Sequence, residues 1–320
     1  MNTLQKKLLY SMKKIRQVEL AIAAKYSEQQ MRCPVHLSIG QEAVAAAVGA
    51  CLEKTDSIVS GHRAHAHYLG VNGSLKGMIA EIYGKVTGCS KGKGGSMHLI
   101  DKSVGFMGST AIVGGTIPVG VGFGLAIKKL KQQHVACVFL GDGAIEEGAF
   151  YESANFAALH KLPVLFICEN NEFSVYSPLE VRQPKQRLIS EMVAGMGIES
   201  AQYDGNDVEL IHQVTTAAVQ KIKAGQGPQF LEFATWRWLE HCGPNEDDDL
   251  DYRCQKSNSK WRDRDPVQIF EKKLMDQKLV SESEIKDLHN SIDIEIKAAF
   301  EFALTSAFPT QEDLFEGIYG

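Results

Sequence analysis

Two short pieces of this sequence carry residues able to do chemistry: Gly141-Asp142-Gly143-Ala144 and Glu169-Asn170-Asn171-Glu172-Phe173. Asp142 offers a hard carboxylate and Asn171 a carbonyl oxygen, and a main-chain carbonyl near Phe173 can add a third donor. Oxygen ligands of this kind suit Mg²⁺, which favours octahedral geometry and shares its shell with substrate phosphates. Gly143 and Ala144 are small, and a helix beginning just after them would direct its N–H groups at phosphate oxygens. Taken singly, each piece is no more than a turn. The case for function rests on where the chain puts them.

Both pieces close a short apolar run, residues 135–140 and 164–168, of the kind that forms a buried parallel strand. A helical pattern at 147–160 lies between them, so both pieces sit at strand ends. In open α/β sheets ligands bind beyond the carboxyl ends of the strands. Further strands are expected at 57–60, 198–203 and 230–234. Helices are expected at 4–30, 41–52, 75–83 and 117–130, and from Asn206 or Asp207 as cap through 224. The whole implies an α/β fold: a doubly wound, mainly parallel sheet with helices on both faces. It is read as a single domain over 1–320 with helical extensions at its N terminus (about 1–55) and C terminus (about 266–308). Residues 239–264, with the acidic run EDDDLD, are expected to form a loop long enough to be functional or mobile. Gly120, Gly122 and Gly124 resemble a dinucleotide fingerprint, but they lie inside an apolar helical segment instead of between strand and helix. Close helix packing at these three positions is the expectation.

The 320 residues are 44% apolar and 23% charged with a net charge of −5, which gives no reason to expect nucleic-acid binding. Seven cysteines (33, 51, 89, 137, 168, 242 and 254) are scattered without a CxxC pair. No secretory leader is evident and no apolar run approaches the roughly 20 residues of a membrane span. The expectation is a cytoplasmic protein with reduced thiols.

GDG followed by NN after one βαβ unit resembles the thiamine-diphosphate signature. LSIGQEA, SGHRAHAHYLG, GCSKGKGGSMHL, AIVGGTIPVGVG and LEFATWRW extend the resemblance to the α subunit of the first (E1) component of pyruvate, branched-chain and acetoin dehydrogenases. The resemblance runs in one order along nearly the whole chain, through ALTSAFPTQEDLFEGIYG. It implies the diphosphate-binding type of the thiamine-diphosphate fold, with thiamine diphosphate and Mg²⁺ as cofactors. It implies Asp142, Asn171 and the Phe173 main chain as metal ligands, and Gly143, Ala144 and Arg63 as diphosphate contacts. His62 stands where the family often has tyrosine beside the cofactor. Ile112 and Val113 match a turn that contacts the aminopyrimidine, and His65 and His241 match active-site histidines. His98 can equally be a loop-ordering residue. The implied substrate is a small 2-oxo acid, and the implied partner a β-type subunit in an α₂β₂ heterotetramer. A lipoyl-bearing acyltransferase would be a further partner.

The sequence departs from the family at Trp236–Pro244, where an ungapped alignment turns the first of two loop histidines into Leu239. An acidic rim there would repel an acidic lipoyl domain. A carboligase that hands its fragment to a small carbonyl compound therefore stays open, as does a split transketolase half.

Overall fold

The computed structural model describes residues 3–253 and 255–317, without the side chains of 255 and 256; Cys254 lies outside the described residues. The chain opens on α1 (Leu4–Tyr26), capped by the Thr3 hydroxyl, and α2 (Glu42–Cys51). Strand β1 (Ser57–Ser60) follows, then α3 (His65–Gly70), α4 (Leu75–Ile82) and β2 (Phe106–Ser109). Next come α5 (Thr116–Lys129), β3 (Ala136–Gly141), α6 (Gly148–Leu159) and β4 (Val164–Asn170). A minimal hairpin, β5 (Phe173–Ser174) and β6 (Ser177–Pro178), leads to the single turn α7 (Leu179–Arg182) and to α8 (Ile189–Ala194). Then β7 (Glu199–Asp204), α9 (Val208–Lys223) and β8 (Gln229–Ala234) complete the sheet. Helices α10 (Gln255–Arg262), α11 (Pro266–Asp276) and α12 (Glu282–Thr305) end the chain.

Six strands pair in the order β2-β1-β3-β4-β8-β7, every pair parallel. Side chains alternate across a strand, and the core divides accordingly. Cys137, Phe139, Leu165 and Ile167 face a cluster with α1, α2, α9 and the C-terminal helices. Ala136, Val138, Val164, Phe166 and Cys168 face a second cluster with α5, α6 and α8. This is the doubly wound arrangement expected, and the GDG and NN pieces end its adjacent strands β3 and β4.

Three expectations need correction and one is refined. The 239–264 stretch is not all loop, since α10 occupies much of its second half. The helical C-terminal extension is present as expected and consists of two helices, separated where Lys278 takes φ +57° and Ser281 with Glu284 forms a capping box for α12. Of the three glycines on α5, Gly120 and Gly124 pack closely: a Cβ would meet Val138 Cγ2 at 2.3 Å and Val164 Cγ2 at 2.5 Å. Gly122 faces open space. The element after GDG is a 3₁₀ turn, Asp142–Glu146, with α6 starting only at Gly148.

Candidate active site

At the carboxyl ends of β3 and β4 lies an open cleft with about 830 Å³ of empty space, lined by Asp142, Gly143, Ala144, Asn171 and Phe173. Gly141 pairs with Glu169, so the two motifs stand side by side. Asp142 is 1% exposed, and burial raises its carboxyl above the usual range, opposed by the neighbouring Arg182. Arg182 is ion-paired to both Asp142 and Glu146 and donates to the Ser177 carbonyl, tying the hairpin to the Asp142 turn. The Asn171 amide donates to Gln41 Oε1 at 3.2 Å, and its oxygen accepts from the Phe173 N–H at 3.2 Å. Asn170 is turned away, donating to Glu232 at 2.8 Å. Glu232 also accepts from Gln202 and the Ser190 N–H. Of the two asparagines, only Asn171 is thus available to the cleft.

The opposite wall comes from two loops laced by main-chain bonds, Trp238 N–H to Ile39 and Gly243 N–H to Val35. Arg63 is buried between them and donates to the Leu37 carbonyl at 2.5 Å and the His241 carbonyl at 3.2 Å. Below, Arg16 clamps Glu42 and Asp265 and lies over the Trp238 ring at 4.2 Å. The lacing brings His241 beside His36, and Arg63, bonded to both loops, sets its neighbour His62 against them at the cleft. Burial first, and then Arg63, lowers all three: His36 to about 2, His241 to about 3 and His62 to about 4.

His65 does not reach the cleft. It is fully buried, with Nε2 2.8 Å from Ser96 Oγ and Nδ1 3.3 Å from Glu19. The histidine that lines the cleft from α3 is His67, which the sequence reading missed. Its Nδ1 lies 2.7 Å from Ser60 Oγ and its Nε2 2.9 Å from Glu169, and its ring stacks on Phe139. Glu169 Oε1 is buried with no partner in a residue that lines the cleft. Val113 lines the cleft, while Ile112 beside it is 69% exposed. His98 is exposed; the loop it closes is ordered instead by Glu81, which accepts from the N–H groups of Ser90, Gly92, Gly94 and Gly95.

The acidic run is not a free rim. Asp247 is 1% exposed and paired with Arg237 and Arg253, and Glu246 and Asp248 pair with Arg262. Among the described residues, Asp249 and Asp251 are the exposed members of the run without an ion pair. Leu239 packs against the core and does not line the cleft. The charge that would repel an acidic lipoyl partner is therefore smaller than the sequence alone implies.

Comparison with known proteins agrees with this architecture. The family described as "Dehydrogenase E1 component" matches residues 10–312. The pyruvate dehydrogenase E1 component subunit alpha of Rickettsia conorii is 36% identical over 284 residues, covering 89% of this chain and 86% of its own. The chloroplastic subunit alpha-3 of Arabidopsis thaliana is 35% identical over 310 residues, covering 95% and 72%. The subunit alpha of Porphyra purpurea is 32% identical over 306 residues, covering 93% and 88%. The chain belongs to the dehydrogenase E1 component family and is of its α type.

Proposed function

We propose that this chain holds the diphosphate and Mg²⁺ of thiamine diphosphate in an enzyme that decarboxylates a pyruvate-like 2-oxo acid and passes on the acyl fragment. A β-type subunit completes the site in an α₂β₂ assembly. The observation that carries this reading is that the in-register ends of β3 and β4 present Asp142 and Asn171 to one cleft, with Arg63 on the facing wall. The residues fit the group. A carboxylate and an amide oxygen form a hard donor set. Gly143 leaves no room for a side chain, since a Cβ would meet Ser174 Oγ at 2.8 Å. Glu169 Oε1 is a buried acceptor still without a partner.

When bound, thiamine diphosphate supplies the nucleophilic carbon and the electron sink for loss of carbon dioxide. The chain's own residues bind and position. Asp142, Asn171 Oδ1 and the Phe173 carbonyl would ligate the metal. The N–H groups of Gly143 and Ala144 and the fork of Arg63 would hold the diphosphate. His62 and His241 stand at the reacting end as neutral imidazoles able to accept or donate a hydrogen bond. Ile112 and Val113, at the cleft's edge, suit contact with the pyrimidine. His65 acts as a positioning residue, linking the glycine-rich loop through Ser96 to Glu19 on α1. Transfer of the fragment to a lipoyl-bearing acyltransferase is consistent with an acidic run that is partly neutralised by Arg237, Arg253 and Arg262.

The apolar side chains exposed on α5 and α6, including Val119, Phe156 and Leu159, support a partner subunit. The test is carbon dioxide release from pyruvate and longer 2-oxo acids with Mg²⁺ and thiamine diphosphate. We expect none from the chain alone and turnover once a β-type partner is added. Full turnover by the single chain, or none by the pair with any short 2-oxo acid, would overturn the reading.

A further inference from the structure

Away from the cleft, the segment after α12 turns back onto the glycine-rich loop that follows α4, and one buried cation joins them. Lys85 is 6% exposed and, among the described residues, makes no ion pair. A buried ammonium without partners is costly, and the segment after α12 supplies them. Lys85 Nζ donates to the Ser306 carbonyl at 3.0 Å and stands 3.8 Å from the centre of the Phe308 ring. Arg32 lies over the same ring at 5.8 Å. Beside this anchor the Val86 N–H donates to the Ala307 carbonyl at 3.0 Å, and Thr87 Oγ1 donates to Ser306 Oγ at 2.7 Å.

Further along, the attachment changes character. The Asp313 carboxylate accepts from the Thr310 N–H at 2.7 Å and from its hydroxyl at 2.8 Å, closing a local turn. Beyond it Lys91 pairs with Glu316 at 2.6 Å, both residues half-exposed, and Lys93 donates to the Glu316 carbonyl. Lys91 takes φ +57°, and at Gly92, with φ +77°, a Cβ would meet the Gly84 carbonyl at 2.8 Å, so the loop folds back on its own stem. Exposed ion pairs of this kind are weak and are screened by salt. Leu314 and Phe315, between the anchor and this outer end, are 58% and 71% exposed, so apolar burial does not hold the segment down.

We infer that residues 306–317 form a two-part clasp on the glycine-rich loop: an anchor at Lys85 and Phe308 that stays shut, and an outer end at Glu316 that opens as ionic strength rises. The anchor combines a cation–π contact withdrawn from water with three hydrogen bonds, none of which involves an exposed ion pair. The outer end rests on Lys91 and Lys93 meeting Glu316. Opening it frees the two lysines while the anchor keeps the stem of the loop in place. The same loop carries Ser96, whose hydroxyl lies 2.8 Å from His65 on α3. The clasp thus ties the segment after α12 to the support of an element that lines the cleft. The inference does not depend on the proposed cofactor reading.

The test is hydrogen exchange of the full chain, read by mass spectrometry. Raising salt from about 0.05 M to about 1 M, where the Debye length falls to about 3 Å, should speed exchange at residues 310–316 and leave residues 85–88 unchanged. Glu316→Gln should show the open outer end already at low salt, with no further response to salt. Phe308→Ala should speed exchange at residues 85–88 by more than about tenfold, as loss of a desolvated cation–π contact implies, and Phe308→Tyr should restore the slow rate. Strands β3 and β4 are the control for general destabilisation and should exchange alike in all four proteins. The salt series and Glu316→Gln keep the test valid should Phe308→Ala misfold. Salt-insensitive exchange at 310–316, a salt response that survives in Glu316→Gln, unchanged protection of 85–88 in Phe308→Ala, or equal acceleration of β3 and β4 in that variant would overturn the inference.

Discussion

Arg63 donates to the Leu37 and His241 carbonyls from two different nitrogens, so its planar fork as well as its charge joins the two loops of the cleft wall. Lysine keeps the charge but has no fixed fork. We expect Arg63→Lys to fold, by circular dichroism, and to bind thiamine diphosphate at least about tenfold more weakly, by calorimetry, as loss of a charge-assisted bond implies. The three cleft histidines give a pH signature. Their folded pKa values lie below the ordinary 6.5. Their contribution to stability is therefore complete above 6.5 and is lost as pH falls toward the folded values. Urea midpoints measured with chelator at about pH 7 and about pH 5 should show this loss, and His62→Gln should lose less. Equal losses in both proteins would mean that His62 is not held neutral by the fold. Asp142 and Asn171 were legible in the sequence because their chemistry sits at the ends of two recognisable apolar runs. His36, His67 and Glu169 were not. The short helix α3 went unanticipated, so which of His65 and His67 faces the cleft had no sequence signal. The partners of His67 come from Ser60 and from Glu169, remote in the chain.

Glu81 on α4 orders the glycine-rich loop as one element. Its two oxygens accept from four main-chain N–H groups at 2.7 to 3.2 Å while the residue is fully buried. That loop carries Ser96, which holds His65. Removing the carboxylate leaves several donors unpaired, at about 1–3 kcal/mol each where buried. We expect Glu81→Ala to release the loop, seen as much faster tryptic cleavage after Lys91 and Lys93 in an otherwise folded protein. Unchanged cleavage would show that the loop is held by other contacts. The long strands and helices were legible from period and caps, down to Asp207, whose carboxylate accepts from the Glu209 and Leu210 N–H groups. The segment from Asn171 to Leu188 was not. Its hairpin has two-residue strands and depends on Arg182 reaching Asp142 and Glu146, a tertiary contact no local pattern encodes.

At the scale of the molecule, the sheet divides the core into two faces, and the face carrying α5 and α6 turns an apolar outer surface to its surroundings. Leu159 is 73% exposed and Phe156 39%. Large apolar side chains exposed together on one helix, as Phe156 and Leu159 are one turn apart on α6, suit an interaction site. We expect Leu159→Asp to leave the thermal transition of the chain nearly unchanged and to weaken association with the β-type partner in sedimentation velocity. Unaltered association would place the interface elsewhere. The sheet order could not be read from the sequence in full, because β2 is only four residues long and hidden in the glycine-dense stretch. The pairing within the acidic run was hidden for a related reason. Composition shows charge but not the arginines that fold onto it, here Arg237, Arg253 and Arg262. The central claim is that Asp142 and Asn171 hold the metal and diphosphate on this chain. Its most direct test is calorimetric titration of Mg²⁺ and thiamine diphosphate into the chain paired with its β-type partner, comparing Asp142→Ala and Asn171→Ala with the unaltered protein. Binding is expected to be abolished by the first and nearly so by the second, with the pair still assembled; unchanged affinity in both would contradict this assignment of Asp142 and Asn171.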